Sequence, residues 1–236
     1  MTAGNAAEAV VGRLRAVLFD VDFTLCRPGP ELGPEGYSRL GAQHGILLDP
    51  ARYHEARVAA LEDLELHPDL DHDKEVWVRF TEDVVRGMGG DGPGAQAVAL
   101  EIVRRWEEAG NFELYDDVAP AIAALRGHRL ALGLVSNTSR DLDTFVRHFA
   151  LDVDAWVSSG SHGKVKPSPE IFHAALDLLG VEPAAAAMVG DSLEDDVRGA
   201  EAVGMRAVLV DRTGRYPDVS PRLTDLVLLP SALGLQ

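Results

Sequence analysis

Two carboxylates one residue apart, Asp20 and Asp22, directly follow the apolar run 16–19. A short continuous apolar run is typical of a buried parallel strand, so we expect Asp20 at the carboxyl end of that strand. Ligands bind at this edge of open α/β sheets. Strand alternation would direct both carboxylates into one crevice and Val21 into the fold. Two such charges about 4 Å apart repel by roughly 4 kcal/mol at an effective dielectric near 20, which favours a bound cation or a protonated carboxyl.

A hydroxyl and a lysine occupy similar places further along the chain. Ser136 and Asn137 follow a predicted strand, Leu130–Val135, and offer polar groups suited to a phosphate just before a helix. The chain has only three lysines, and two of them, Lys164 and Lys166, lie together before another predicted helix. Taken singly, a serine before a helix is usually a cap and a lysine is usually a solvated surface charge. Their common position beside strand ends favours a shared site.

Further carboxylates follow the predicted strand Ala186–Val189. They are Asp191, Asp195 and Asp196, at the start of the next helix. Hard divalent cations prefer clusters of carboxylate oxygens, so this segment is predicted to complete a metal site with the first acid pair.

The elements that must position these residues indicate an α/β fold with a doubly wound, parallel-sheet, Rossmann-like core. A helical block without a convincing strand interrupts the core, and the Pro/Gly-rich run 27–36 before it is interpreted as a linker. We therefore predict a catalytic core of residues 1–26 and 112–236 and an inserted all-helical cap of residues 27–111. The predicted helices are Tyr37–His44, Pro50–Leu66, Asp73–Gly87, Ala95–Ala109, Asp117–Arg126, Arg140–Phe149, Pro169–Leu179 and Leu193–Val203. The later strands are Ala155–Val157, Ala207–Val210 and an edge strand Asp225–Leu229.

Composition narrows the classes of partner. A net charge of −16 over 236 residues argues against nucleic acid or an anionic membrane surface, because both require a basic footprint. A single cysteine, Cys26, permits no intrachain disulfide and is interpreted as a packing residue. The weakly apolar stretch 2–12 lacks the basic start of a signal peptide, and no run approaches a membrane span. We expect a cytoplasmic protein, and the sequence does not decide between a monomer and a dimer.

Four segments together resemble the motifs of the haloacid dehalogenase-like hydrolase superfamily. They are Asp20-Val21-Asp22-Phe23-Thr24, Ser136-Asn137, Lys166-Pro167, and Gly190-Asp191 with Asp196. The resemblance covers about residues 14–211, and the helical block is similar to the cap of that superfamily's first cap class. Phe23 stands where many members have glycine, and Asp195-Asp196 where many have Asn-Asp.

The resemblance implies a phosphatase that acts on a small phosphorylated metabolite. Asp20 would be the nucleophile that forms an aspartyl-phosphate, and Asp22 the general acid and base. The implied cofactor is Mg²⁺, held by the Asp20 carboxylate, the Asp22 backbone carbonyl and Asp191, with Asp196 or Asp195 in support. Lys166, Ser136 and backbone amides near Asn137 would bind the phosphoryl oxygens, and Thr24 would orient the loop.

Similar proteins catalyse other reactions, and the sequence disfavours some of these alternatives more than others. Dehalogenases of this superfamily lack an acid at the position of Asp22, which disfavours that reaction. A phosphonatase would need a cap lysine, for which Lys74 is the sole choice in the block, and a phosphomutase would need a second phosphate site. A phospho-acceptor receiver domain is about half this length, and retention of all four motifs disfavours a non-catalytic interaction protein.

The cap residues that read the substrate are not predicted from sequence. Arg27, Arg52, Arg57 and Trp77 are suitable by residue type alone. The acidic and histidine-rich stretch His67–Asp73 is interpreted as a solvent-facing loop rather than a transition-metal site, because its ligand spacing fits no known pattern.

Overall fold

The computed structural model describes residues 14–65 and 74–235, in two compact units. The first unit extends to Arg27 and resumes at Leu114, and the second comprises Pro28–Glu113. In the described parts of the chain, no helix is both long and apolar enough to cross a membrane.

The first unit contains a six-stranded sheet. Its strands are β1 (Ala16–Phe19), β4 (Ala131–Ser136), β5 (Ala155–Ser158), β6 (Ala186–Gly190), β7 (Arg206–Val210) and β8 (Arg222–Leu223). Two short strands, β2 (Cys26–Pro28) and β3 (Phe112–Leu114), form a separate two-stranded sheet. The large sheet has the order β5-β4-β1-β6-β7-β8 with parallel pairing throughout. The predicted α/β class with a parallel, Rossmann-like sheet is confirmed.

The position of β1 at the centre of the sheet determines where the site forms. All four β1 residues are buried, as expected for a strand covered on both faces. Phe19 pairs in register with Leu134 of β4 and with Val189 of β6. The residues that follow these three strands therefore meet at one edge of the sheet.

Helices cover the sheet and supply its apolar core. They are α5 (Val118–Gly127), α6 (Leu142–Phe149), α7 (Ser159–His162), α8 (Pro169–Leu179), α9 (Gly199–Ala202) and α10 (Leu229–Ala232). Helix α8 shows the pattern most clearly, because Ile171, Phe172, Ala175 and Leu176 are all buried in the cluster that also includes Leu18 of β1. This spacing forms one apolar stripe along the helix.

The second unit is helical and has its own core. Its helices are α1 (Pro34–Gln43), α2 (Tyr53–Glu65), α3 (Lys74–Gly87) and α4 (Gly92–Trp106). The buried cluster includes Tyr37 and Tyr53, whose rings meet edge to face with centroids 5.2 Å apart, together with Met88 and Ile102. A separate core of this kind is what defines a compact unit.

Among the local predictions that differ from the structure, four concern an edge strand, a linker and two helix starts. The edge strand Asp225–Leu229 is wrong, because the last strand is Arg222–Leu223 and Leu229 begins a helix. The run 27–36 is not a bare linker, since it contains part of β2, a 3₁₀ turn and the start of α1.

The other two differences concern helix starts. The helix predicted from Arg140 begins at Leu142, with Asp141 as its side-chain cap, so Arg140 lies in the preceding loop. The helix predicted from Leu193 starts as a π-helical turn, Leu193–Arg198, before α9.

Candidate active site

Asp20 lies immediately after β1 and is almost fully buried. Its backbone N–H continues the sheet by donating to the carbonyl of Val189 at 2.9 Å. The ammonium Nζ of Lys166 lies 2.6 Å from Asp20 Oδ1, and the Thr24 hydroxyl donates to Asp20 Oδ2 at 3.1 Å. Both carboxylate oxygens are therefore held in fixed directions at the carboxyl edge of the sheet.

Lys166 is placed by the loop before α8 and is 3% exposed. Its Nζ also donates to Asp196 Oδ1 at 2.6 Å, so one ammonium bridges two buried carboxylates. The side-chain amide of Asn137 holds the backbone of Lys166 in two directions, since Oδ1 accepts from Lys166 N at 2.7 Å and Nδ2 donates to Lys166 O at 3.0 Å. The Asn137 side chain thus fixes the lysine loop.

Asp191 and Asp196 come from the segment after β6. Asp196 is 1% exposed, and its Oδ2 accepts from the backbone N–H of Ser192 at 3.0 Å. A Cβ at Gly190 would lie 2.2 Å from Asp196 Oδ2, so only glycine leaves room for this carboxylate. Asp191 approaches the Thr24 hydroxyl at 3.5 Å, which connects it to Asp20.

Burial and mutual repulsion shape the electrostatics of these groups. Burial, reinforced by Asp196 and Asp191, raises the pKa of Asp20 above its usual range despite the attraction of Lys166. Burial and the neighbouring Asp196 raise the pKa of Asp191 to about 7. Burial alone would lower the pKa of Lys166, but attraction to Asp196 and Asp20 outweighs it and raises that pKa. The site therefore stabilises positive charge and penalises further negative charge.

The carboxylates fit a divalent cation. One oxygen from each of Asp20, Asp191 and Asp196 lies within 4.8 Å of the others, which suits a hard cation with oxygen ligands. The three carboxylates, when ionised, exceed the single positive charge of Lys166 by two, the charge that one such ion carries. A bound cation would favour the ionised forms of Asp20 and Asp191.

Asp22 does not belong to that three-acid cluster and pairs with Arg140, a residue that the sequence analysis did not select. Nitrogen Nη2 of Arg140 contacts Asp22 Oδ1 at 3.0 Å and Oδ2 at 3.3 Å. The two acids of the first motif have different cation partners, Lys166 for Asp20 and Arg140 for Asp22. No sequence pattern indicated that Arg140 belongs to the site, because it follows the strand end by four residues and its partner Asp22 is far away in the chain.

The remaining predicted residues lie around this centre. Ser136, the last residue of β4, is 1% exposed and pairs in register with Ser158. Thr24 is fully buried and connects Asp20 with Asp191. Asp195 lies outside the carboxylate cluster, and its backbone N–H donates to Ser192 Oγ. Cys26 is buried, and burial raises the pKa of its thiol.

The other residues selected by type are placed as follows. Arg27 lies with its guanidinium 5.7 Å from the Tyr115 ring centroid, within the first unit. In the second unit, Arg52 is exposed, Arg57 is half-buried in α2, and Trp77 packs edge-on against Phe80. Lys74 begins α3, and the stretch His67–Asp73 lies outside the described residues.

A parallel sheet with a buried acid and lysine cluster at its carboxyl edge defines an α/β enzyme with a ligand site at that edge. The haloacid dehalogenase-like hydrolase family matches residues 14–204, and the chain belongs to this family. It is 32% identical to the glyceraldehyde 3-phosphate phosphatase of Methanopyrus kandleri over 90% of both chains. It is 38% identical to the phosphoserine phosphatase of Thermus thermophilus, over 65% of this chain and 66% of that protein.

A solved structure supports the same placement. The phosphatase of this family from Thermococcus onnurineus superposes with a TM-score of 0.62 at 29% identity, over 94% of this chain and 98% of that one. The resemblance drawn from the four motifs is confirmed.

Proposed function

We propose that this chain is a Mg²⁺-dependent phosphatase that hydrolyses the phosphate monoester of a small molecule through an aspartyl-phosphate on Asp20. The observation that carries the proposal is the buried Asp20 carboxylate, 2.6 Å from Lys166 Nζ and beside Asp191 and Asp196. Two relatives named as phosphatases of small phosphorylated molecules support the substrate class.

In the first step, a carboxylate oxygen of Asp20 attacks phosphorus. The new Asp20–phosphorus bond forms as the bond from phosphorus to the alcohol oxygen breaks, and Asp22 gives its proton to that oxygen. Proton transfer of this kind contributes about 10² to 10⁴ in rate. The fixed orientation of Asp20 by Lys166 and Thr24 supplies the alignment that the attack requires.

In the second step, water attacks the phosphorus of the aspartyl-phosphate and gives its proton to Asp22. Inorganic phosphate leaves and the Asp20 carboxylate is restored, with Asp22 protonated for the next cycle. Asp22 is suited to both transfers because its side chain is 22% exposed, whereas the nucleophile is buried.

Positive charge must offset the acidic surroundings during both steps. Lys166 and Ser136 would bind the phosphoryl oxygens. The carboxylates of Asp20, Asp191 and Asp196, with the backbone carbonyl of Asp22, would hold Mg²⁺, which when bound neutralises charge between nucleophile and phosphate. Asn137 would act indirectly, because its two hydrogen bonds to the backbone of Lys166 hold the lysine loop in place.

Phosphate-ester hydrolysis is favoured over dehalogenation because this chain carries an acid at position 22 and a carboxylate cluster suited to a cation. Neither group is needed to displace a halide. The helical unit, Pro28–Glu113, is proposed to choose among substrates.

The first test is hydrolysis of p-nitrophenyl phosphate with Mg²⁺ and with EDTA. We expect turnover only with the metal, and a loss of at least about a thousand-fold in Asp20→Asn, because the nucleophile is gone. Asp152→Asn, at an exposed carboxylate, is the control and should match the wild type. Undiminished turnover by Asp20→Asn would refute the proposal. If the wild-type enzyme is active and Asp20→Asn is not, a screen of phosphorylated metabolites would identify the substrate.

The second test separates the two steps with Asp22→Asn. An activated ester such as 2,4-dinitrophenyl phosphate needs little acid assistance, so the variant should still release one equivalent of phenol rapidly. Dephosphorylation should then be slow, because no base activates the water. Stopped-flow absorbance would show a burst followed by slow turnover. Unchanged steady-state rates on an alkyl phosphate would show that Asp22 carries neither role.

A further inference from the structure

The side chain of Arg140 is buried beside the proposed acid and base. It is 2% exposed and belongs to the largest fully buried side chains of the described protein. It lies in the loop between β4 and α6, four residues after Ser136. Its guanidinium carbon lies 5.3 Å from the ring centroid of Phe145, on the first turn of α6.

A buried guanidinium needs a compensating anion, and Asp22 provides it. Nη2 contacts both oxygens of Asp22, at 3.0 and 3.3 Å. Burying either charge without the other is strongly unfavourable, so the ion pair constrains both side chains. Because Arg140 is enclosed and Asp22 is 22% exposed, the arginine is the fixed member of the pair.

The two acids of the first motif are thus held by different cations. Lys166 binds the nucleophile Asp20 and reaches it from the loop before α8, whereas Arg140 binds Asp22 from the loop before α6.

From this geometry we infer that Arg140 is the positioning residue of the general acid and base. The inference rests on the proposed function. Contacts with the Arg140 guanidinium hold the Asp22 side chain in one orientation. In that orientation the carboxylic acid can give its proton to the leaving oxygen, and the carboxylate can later take a proton from the attacking water. A displacement of about 1 Å in such a group can cost about a hundred-fold in rate, so Arg140 controls kcat without touching the substrate.

A double-mutant cycle tests this inference. The variants are Arg140→Met, which keeps length and apolar packing without the charge, Asp22→Asn, and the pair. With p-nitrophenyl phosphate, Arg140→Met should lower kcat about 10- to 100-fold with little change in KM. In the Asp22→Asn background the same substitution should cause no further loss, because its target is already gone.

Two further variants and an unfolding measurement distinguish positioning from structural damage. Arg140→Lys restores the charge with different geometry and should recover part of the lost kcat. Arg126→Met removes another arginine with two aspartate partners, Asp152 and Asp154, and should leave kcat unchanged. Thermal unfolding checks that each variant is folded, and if Arg140→Met does not fold, Arg140→Lys takes its place in the cycle with the same non-additivity expected.

The outcomes separate this inference from the proposed function. A slow Asp22→Asn enzyme together with an unimpaired Arg140 variant overturns the inference alone. Losses that multiply in the double variant, or an effect confined to KM, also overturn it. A wild-type protein without Mg²⁺-dependent hydrolysis, or an unimpaired Asp22→Asn enzyme, overturns the proposed function and the inference with it.

Discussion

Phe23 adopts a backbone conformation that favours glycine, with φ at 62°. It follows the acid pair directly, at the position where many similar hydrolases have glycine. The left-handed region costs a residue with a Cβ about 1 to 2 kcal/mol. The loop after the nucleophile therefore requires this turn whatever residue supplies it.

We expect Phe23→Gly to be more stable than Phe23→Ala by about 1 kcal/mol, because both lose the ring and only alanine keeps the strain. Urea unfolding of the two variants measures the difference. The exposed loop residue Leu47, whose φ is not positive, is the control and should show the usual order, with alanine more stable than glycine. The same order at both positions would contradict the assigned strain.

The sequence located most site residues because strand ends can be read from short apolar runs. Asp20, Lys166 and Asp191 were placed at one sheet edge by this rule, and the structure brings them together. Their roles stay predictions. Asp195 and Asp196 could not be distinguished, because the answer depends on a π-helical turn that no residue pattern announces.

Arg212 connects three elements of the first unit near the nucleophile. Its guanidinium lies 3.7 Å from the Tyr115 ring centroid and pairs with both oxygens of Asp117 at 2.9 and 3.0 Å. It also donates to the carbonyl of Thr24 at 2.8 Å, while Asp117 accepts from the N–H of Leu226 at 2.7 Å. The loop after β1, the start of α5 and the C-terminal segment are thereby joined.

Asp117→Asn should destabilise the protein by about 3 kcal/mol near neutral pH, because it leaves a largely buried guanidinium unpaired. Burial alone would raise the pKa of Asp117, but bonds from Arg212 and Leu226 outweigh it and lower that pKa. A carboxyl with a lowered pKa stabilises the fold above its unfolded pKa, and this contribution is lost as pH falls through the folded value.

The stability difference between wild type and Asp117→Asn should therefore shrink below about pH 4. Denaturant unfolding over a pH series measures this. Asp152→Asn, at an ion pair whose acid is 71% exposed, should cost less than about 1 kcal/mol. A pH-independent deficit in Asp117→Asn would mean that the ion pair is not its source.

The wrong edge strand shows how an apolar run can mislead at the scale of an element. The predicted edge strand Asp225–Leu229 contains a run of four apolar residues, 226–229. Leu226 and Leu229 are buried, whereas Val227 and Leu228 are 67% and 62% exposed. Burial at every third residue is a helical spacing, and four residues are too few for periodicity to decide between the two structures.

The whole molecule carries a net charge of −16, and the buried carboxylates of the candidate site concentrate part of this negative charge in one place. Such a field attracts cations and repels a free phosphate ester. Burial and repulsion from Asp196 raise the pKa of Asp191 to about 7, and a divalent ion at Asp20, Asp191 and Asp196 would offset both effects. Metal binding should therefore stabilise the fold.

We expect excess Mg²⁺ to raise Tm by roughly 5 to 10 °C over the EDTA-treated protein, since saturation at a hundred times Kd contributes about 2.7 kcal/mol. The gain should be smaller on the acid side of about pH 7, where protons compete for Asp191. Asp191→Asn should lose the response, and Glu194→Gln, at an exposed acid nearby, should keep it. An equal response in Asp191→Asn would place the ion elsewhere.

The central position of β1 also dictates the order in which the molecule can assemble. β1 finds both of its neighbours only after the strands beginning at Ala131 and Ala186 have been made. The intervening helical unit consists mainly of local contacts, which form faster than pairings between distant segments. We therefore expect the inserted unit to fold while both edges of the apolar strand β1 are still unpaired. A strand in this state is prone to associate with other chains. β1 is thus made long before the two strands that complete its surroundings.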